Sequence, residues 1–208
     1  MESKLFTPVT FGPLTLRNRT IRSAAFESMC PGNAPSDMLL DYHRSVAAGG
    51  IGMTTVAYAA VTQSGLSFDR QLWMRPEIIP GLRRLTDAIH AEGAAAGIQL
   101  GHCGNMSHKS ICGCMPVGAS SGFNLYSPTF VRGLRADELP EMARAYGRSV
   151  NLAREAGFDS VEIHAGHGYL ISQFLSPSTN HRKDEFGGSL QNRMRFMDMG
   201  MVEVMKAA

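Results

Sequence analysis

Four times in 208 residues, a short apolar run is followed by a loop and then by an amphipathic stretch at helical spacing. A chain that alternates these two patterns buries both by laying helices over a parallel sheet, so the expected class is α/β. The first run is "TIRSAA", 20–25. A loop bearing glycine and proline follows over Cys30–Pro35, and a helix starts at Ser36 or Asp37, both good N-caps, and stops at Gly49-Gly50. The second run is "IGMTTVAYAAV", 51–61. Its helix opens at Pro76, carries Ile79, Leu82, Leu85 and Ile89 on one face, and has Gly93 where a C-terminal cap belongs. The third run is "AAGIQL", 95–100, followed by a Gly/Ser-rich stretch of little periodicity, 101–136. A helix capped by Asp137 comes next, with Leu139, Met142, Ala143, Tyr146 and Val150 at three-to-four spacing until Gly157. The fourth run is "FDSVEIHA", 158–165. Ser189 then opens a last helix, whose Met194, Met197, Met201 and Met205 form one apolar stripe that reads as core filler.

An open doubly wound sheet and part of a (β/α)-barrel both fit this alternation. No glycine fingerprint follows the first strand, which weakens the dinucleotide-binding doubly wound reading. The strand-to-helix loops are long and polar, above all after the third and fourth strands, where a barrel builds its active site. The expectation is therefore a partial (β/α)8 TIM barrel made of its first four strand–helix units, since eight need about 250 residues. In such a half-barrel the first and fourth strands are open edges with unpaired backbone groups. Two outcomes are expected of it: a fragment of a longer enzyme, inactive alone, or a homo-oligomer that pairs edge to edge.

Charge excludes some partners. Twenty basic and 18 acidic residues in mixed order give a formal net charge of +2, which gives no reason to expect nucleic acid or a membrane surface. No apolar run approaches the roughly 20 residues of a membrane span, and "MESKLFTPVTFG" lacks a signal-peptide core, so a cytoplasmic location is expected. Cys30, Cys103, Cys112 and Cys114 do not make a disulfide framework.

The chemistry concentrates in "EIHAGHGYLISQFLSPSTN", 162–180, at the end of the fourth run. Histidine ring nitrogens can donate hydrogen bonds to an oxygen that gains negative charge. Tyrosine, with a reference pKa near 10, stays protonated at neutral pH and can act as a general acid. His164, His167 and Tyr169 together suit one reaction class: two donors polarise a carbonyl, hydride adds to the β-carbon of the conjugated C=C, and the tyrosine protonates the α-carbon. Spacing leaves two other readings open. His-x-x-His could be half a metal site completed by His102, His108 or a cysteine, or the histidines could be structural, bonded to loop backbone.

From Gly166 to Phe196 the stretch "GHGYLISQFLSPSTNHRKDEFGGSLQNRMRF" resembles the signature of the Old Yellow Enzyme family of flavin-dependent ene-reductases, with Phe186 where tyrosine is common. "LFTPVTFGPLTLRNR", "DYHRSVAAGGIGMTTV" and "GIQLGHCG" extend the resemblance over essentially the whole chain. The resemblance implies a (β/α)8 barrel with FMN at the C-terminal strand ends, NAD(P)H as reductant, and an enone- or enoate-type substrate. It implies that residues 1–208 are the N-terminal half of that FMN-binding domain. It makes His164 and His167 the grip on the substrate oxygen and Tyr169 the proton donor. Gln99 matches the glutamine on the flavin's pyrimidine edge, and Ala24, Ala25 and Phe26 match the segment lining the flavin ring. Phe26 stands where Thr or Cys is common and cannot make their hydrogen bond; Tyr58 stands where Gly or Ala is usual, as core packing or flavin contact. Asn180, Arg182 and Asp184 read as loop-fixing residues and His102 as structural. Cys112 and Cys114 have the wrong spacing for the iron–sulfur cluster of longer relatives, so no metal is assigned. The family's flavin-facing basic residue and phosphate loops belong to its second half, which leaves a competing expectation of a non-catalytic chain that holds no flavin.

Overall fold

The computed structural model describes residues 3–208. A hairpin comes first, β1 (Val9–Phe11) antiparallel to β2 (Leu14–Leu16). Then follow β3 (Ile21–Arg22), α1 (Asp37–Ala48), β4 (Met53–Ala60), α2 (Ile79–Ala91) and β5 (Ala95–Gly101). Next are α3 (Lys109–Cys112), β6 (Val117–Gly118), β7 (Gly122–Asn124), β8 (Thr129–Gly133) and α4 (Leu139–Glu155). The chain ends with β9 (Ser160–Ile163), α5 (Leu170–Leu175) and α6 (Leu190–Ala207).

The main sheet has the order β3-β4-β5-β9. Ile21 pairs in parallel with Met53. The Ala95 N–H donates to the Gly52 carbonyl at one end of the β4–β5 pair and the Val61 N–H to the Gly101 carbonyl at the other, both at 2.9 Å. Low numbers meet low and high meet high, so these strands run in the same direction. Asp159 to Ala96 and His164 to Leu100, both 2.8 Å, align β9 with β5 in the same way. The class is α/β, with the strand order and helical crossovers of the first four units of a (β/α)8 barrel. The inner strands β4 and β5 are buried almost throughout, as strands covered on both faces must be. The terminal strands β3 and β9 are only half-buried, which matches the expectation for the sheet's two edges.

The chain divides into two compact units. One comprises the residues up to Ala59 together with Arg70–Gln99 and Leu152–Glu162; the other comprises Ala60–Asp69, Leu100–Asn151 and Ile163–Ala208. In the first, α1 packs on α2 and the Ser36 side chain caps α1 by accepting from the Leu39 N–H. Its buried centre includes Leu39, Leu82, Leu85, Ile89 and Ile98.

In the second unit, α5 packs on α6 with the Phe174 and Phe196 rings 4.6 Å apart. This corrects the reading of the last helix. Its buried face is Phe196, Gly200, Val204 and Ala207, one position round from the methionine stripe, so Met201 and Met205 stay 38% and 69% exposed. The Phe174 ring captures Phe196, and the rest of the face turns with it. The cap of α4 is also corrected. Asp137 lies inside a 3-10 turn, Ala136–Glu138, and it is the Glu138 carboxylate that takes the Arg135 N–H, at 2.7 Å. The 101–136 stretch is not merely loop: β6, β8 and β7 form a small mixed sheet within it. No helix among the described residues is long and apolar enough to cross a membrane.

Candidate active site

In the second unit the chain leaves β9 at His164, whose N–H still bonds β5, and turns sharply through 165–169. His167 adopts φ = 54°, the left-handed region that an L-residue with a side chain rarely enters. That turn folds its ring back onto His164. His167 Nδ1 and His164 Nε2 lie 3.2 Å apart, so one ring donates N–H and the other accepts. The Tyr169 ring stands edge-on to His164, with centroids 4.8 Å apart. His164 is buried and His167 exposed, so the pair reaches from the core to the surface. Tyr169 lines a cleft of about 430 Å³ with Phe68, Met106, His108, Ile111 and Tyr126. His167 lines another, of about 490 Å³, that shares Met106 and Tyr126. Met106, His108, Ile111 and Tyr126 lie in the 101–136 stretch of little periodicity and Phe68 in the loop between β4 and α2, so no sequence pattern marks this wall.

Gln173 fixes the loop that carries Tyr169, and it also went unassigned from sequence. Its buried amide donates to the Gly168 carbonyl (2.6 Å), the Asn105 side-chain oxygen (2.9 Å) and the Cys103 carbonyl (3.1 Å), and its oxygen accepts from the Asn105 N–H (3.1 Å). One side chain thus ties the loop after β5 to the loop after β9. The downstream loop is held as expected. Asn180 donates to the carbonyls of Phe174 (2.7 Å) and Phe186 (2.8 Å), and Arg182 pairs with Asp184 and donates to the Ala119 and Leu134 carbonyls. Gly187 is required here because a Cβ would lie 2.3 Å from the Arg182 carbonyl oxygen.

His102 behaves as a structural residue. It is fully buried; Nδ1 accepts from the Gly104 N–H at 2.9 Å, which leaves Nε2–H to donate to Ser64 Oγ at 3.0 Å. Burial pushes its pKa from 6.5 down to about 3. In the unfolded chain His102 takes up a proton below about 6.5, whereas the folded protein refuses it until about 3. Stability is therefore whole above that window and falls with pH inside it, by roughly 1.4 kcal/mol per pH unit. Urea unfolding of wild type and His102→Asn across this range checks this; the slope should be shallower in the variant, and parallel slopes would remove His102 as its source. Among the described residues no three His, Cys, Asp or Glu side chains converge on a metal-sized site.

The other residues singled out from sequence lie in the first unit. Ala24 is half-buried, Ala25 exposed and Phe26 43% exposed, on a stretch without regular structure after β3. Glu27 pins that stretch to β4: its carboxylate accepts from Arg22 at 2.9 Å, from buried His43 at 3.0 Å and from the Ala57 N–H at 3.4 Å. Tyr58 is buried in β4, and its carbonyl accepts from Gln71 at 3.2 Å. Gln99, near the end of β5, gives its amide N–H to Glu162 on β9 at 2.5 Å. Its oxygen accepts no hydrogen bond among the described residues. Small side chains at 24 and 25 and an amide acceptor at 99 fit a flat, hydrogen-bonding ring. One of the two Gln99 amide N–H groups is taken by Glu162.

A family model described as the NADH:flavin oxidoreductase / NADH oxidase family matches residues 4–208. The 4,4'-dithiodibutanoate disulfide reductase of Rhodococcus erythropolis is 42% identical over 192 residues, which is 92% of this chain and 48% of that protein. An NADPH dehydrogenase of Bacillus subtilis strain 168 is 37% identical over 95% of this chain and 58% of its own length. The chain therefore spans about half the length of the curated relatives it matches. Among solved structures, the old yellow enzyme homologue from Zymomonas mobilis superposes with a TM-score of 0.91 at 29% identity, over 99% of this chain and 60% of that one. Morphinone reductase in complex with tetrahydroNAD superposes with a TM-score of 0.92 at 28% identity, over 99% and 61%.

Proposed function

We propose a reaction from one premise: this chain belongs to the NADH:flavin oxidoreductase / NADH oxidase family. The reaction is the NAD(P)H-dependent reduction of a carbonyl-conjugated C=C bond with FMN as cofactor, and residues 1–208 are the N-terminal half of the domain that performs it. The nicotinamide reductant is supported by the names of two relatives, an NADPH dehydrogenase and a reductase solved with tetrahydroNAD. The observation that carries the reading is the His164–His167 pair with Tyr169 on its edge, built on a left-handed turn that folding alone does not favour.

Bound FMN supplies the hydride for the β-carbon. Ala24, Ala25 and Phe26 would lie against its ring, the Gln99 oxygen would accept from a ring N–H, and Tyr58 would back that contact from β4. His164 and His167 bind the substrate's carbonyl oxygen by giving up the hydrogen bond between them: the ring that donates in it turns its N–H to the oxygen, and the ring that accepts takes its other tautomer, which puts the hydrogen on the facing nitrogen. As negative charge grows there, both donors strengthen, and the carbonyl is activated without a metal ion. The Tyr169 hydroxyl, beside His164, then delivers its proton to the α-carbon. Phe68, Met106 and Tyr126 give the cleft beside Tyr169 an aromatic and thioether wall.

A test needs no turnover. A para-substituted phenol imitates an oxygen that carries negative charge, and titrating it while recording the imidazole resonances reports the grip directly. The His164 and His167 signals should shift together and saturate, and His164→Ala or His167→Ala should weaken binding by roughly tenfold or more. Unchanged affinity in both variants would remove them as the oxygen grip.

A further inference from the structure

The pair Cys112 and Cys114 has no part in the proposed reaction, and its geometry is that of a dithiol set to close. Cys112 is the last residue of α3, and Gly113 turns the chain with φ = 73°, a conformation that glycine adopts freely. An extended Gly113 would set the flanking Cα atoms roughly 7 Å apart, at the limit for a bridge, and the turn brings them nearer. The Cys114 thiol points at Cys112 with the sulfurs 3.7 Å apart, and the Cys112 thiol donates to the Cys114 carbonyl at 3.2 Å. Exposure divides the two roles: Cys112 is buried, whereas Cys114 is exposed on a cleft of about 630 Å³ that Arg132 also lines. Cys30 and Cys103 are buried, and the Cys103 thiol is engaged by the Leu66 carbonyl at 3.3 Å.

We propose that Cys112 and Cys114 form a reversible intramolecular disulfide when the protein meets a low-molecular-weight disulfide. The Cys114 thiolate attacks one sulfur of the oxidant, a mixed disulfide forms, and the first small thiolate leaves. Cys112 then gives up its proton and attacks the Cys114 sulfur, which closes the bridge and expels the second. Two protein thiols are oxidised to one disulfide, the oxidant is reduced to two thiols, and the two protons leave with them. A bridge across a single residue is strained and lies at the surface, the kind that dithiols reopen readily. Partial desolvation beside Cys112 and the bond to its sulfur push the exposed Cys114 thiol up to about 11, against the pull of Arg132, so exchange is slow at neutral pH and faster in mild alkali. The bridge would act on the candidate site, because Ser110 and Ile111, just before Cys112 in α3, line the cleft that holds Tyr169.

The test is to incubate the reduced protein with oxidised glutathione in mild alkali, count thiols and weigh the tryptic peptide 110–132, which contains both cysteines and neither of the others. The four free thiols should fall to two, and the peptide should lose two hydrogens and carry no glutathione. Dithiothreitol should restore all four. Cys112→Ser should trap glutathione on that peptide, since Cys114 is attacked but cannot be resolved. Four persistent thiols in wild type, or a stable glutathione adduct on wild-type 110–132, would overturn the proposal without any reliance on the variant's folding.

Discussion

Replacing Tyr169 by Phe should slow alkene reduction by about 10²–10⁴-fold, the usual worth of a positioned general acid, while reduction of the cofactor by NAD(P)H stays within roughly twofold. The asymmetry follows from where the hydroxyl acts. The phenyl ring keeps the edge contact with His164 and the cleft lining, so binding and fold persist. The proton for the α-carbon is lost, and that proton is needed in one half-reaction alone. Stopped-flow traces of the two half-reactions separate the cases. Equal slowing of both would reject the role given to Tyr169 and point to a structural one.

Gln173→Leu should destabilise the protein by about 3 kcal/mol, read as a lower urea midpoint at unchanged slope. Leucine fills similar space but leaves the Gly168, Cys103 and Asn105 backbone groups without the partner that the amide supplies. A buried polar group left unsatisfied costs about 1–3 kcal/mol, and three share one side chain here. The effect should also reach Tyr169, because Gly168 is the residue before it in the turn. A loss under about 1 kcal/mol would mean that the two loops hold each other by other contacts, and that Gln173 does not position the site.

Much of this molecule can be read from its order of residues, for reasons that differ by region. The four strands and their helices are legible because burial on one or both faces writes a period into the sequence, as in "IGMTTVAYAAV" and in Ile79, Leu82, Leu85 and Ile89. The His164–Tyr169 cluster is legible because its residue types are rare and close in sequence. The β6-β8-β7 sheet is not, because strands of two to five residues whose burial does not alternate carry no period. Gln173 is missed because its Asn105 and Cys103 partners lie 68 and 70 residues away and most of its bonds go to backbone, which leaves no side-chain signal; the Glu27 partners His43 and Ala57 lie 16 and 30 residues away. The α6 stripe misled because methionine and phenylalanine lie on adjacent helical positions, and the ring contact with Phe174 decides which side turns inward.

In the proposed reaction this chain supplies the substrate-activating wall of an FMN-dependent reductase. The most direct measurement is an anaerobic spectral titration of the protein, purified at its native length and loaded with FMN. Flavin bands should stay with the protein through gel filtration, bleach on adding NAD(P)H and return on adding an enone, with the return lost in Tyr169→Phe. A protein that takes up no FMN, or one whose bleached flavin no enone restores, would contradict the proposed reaction.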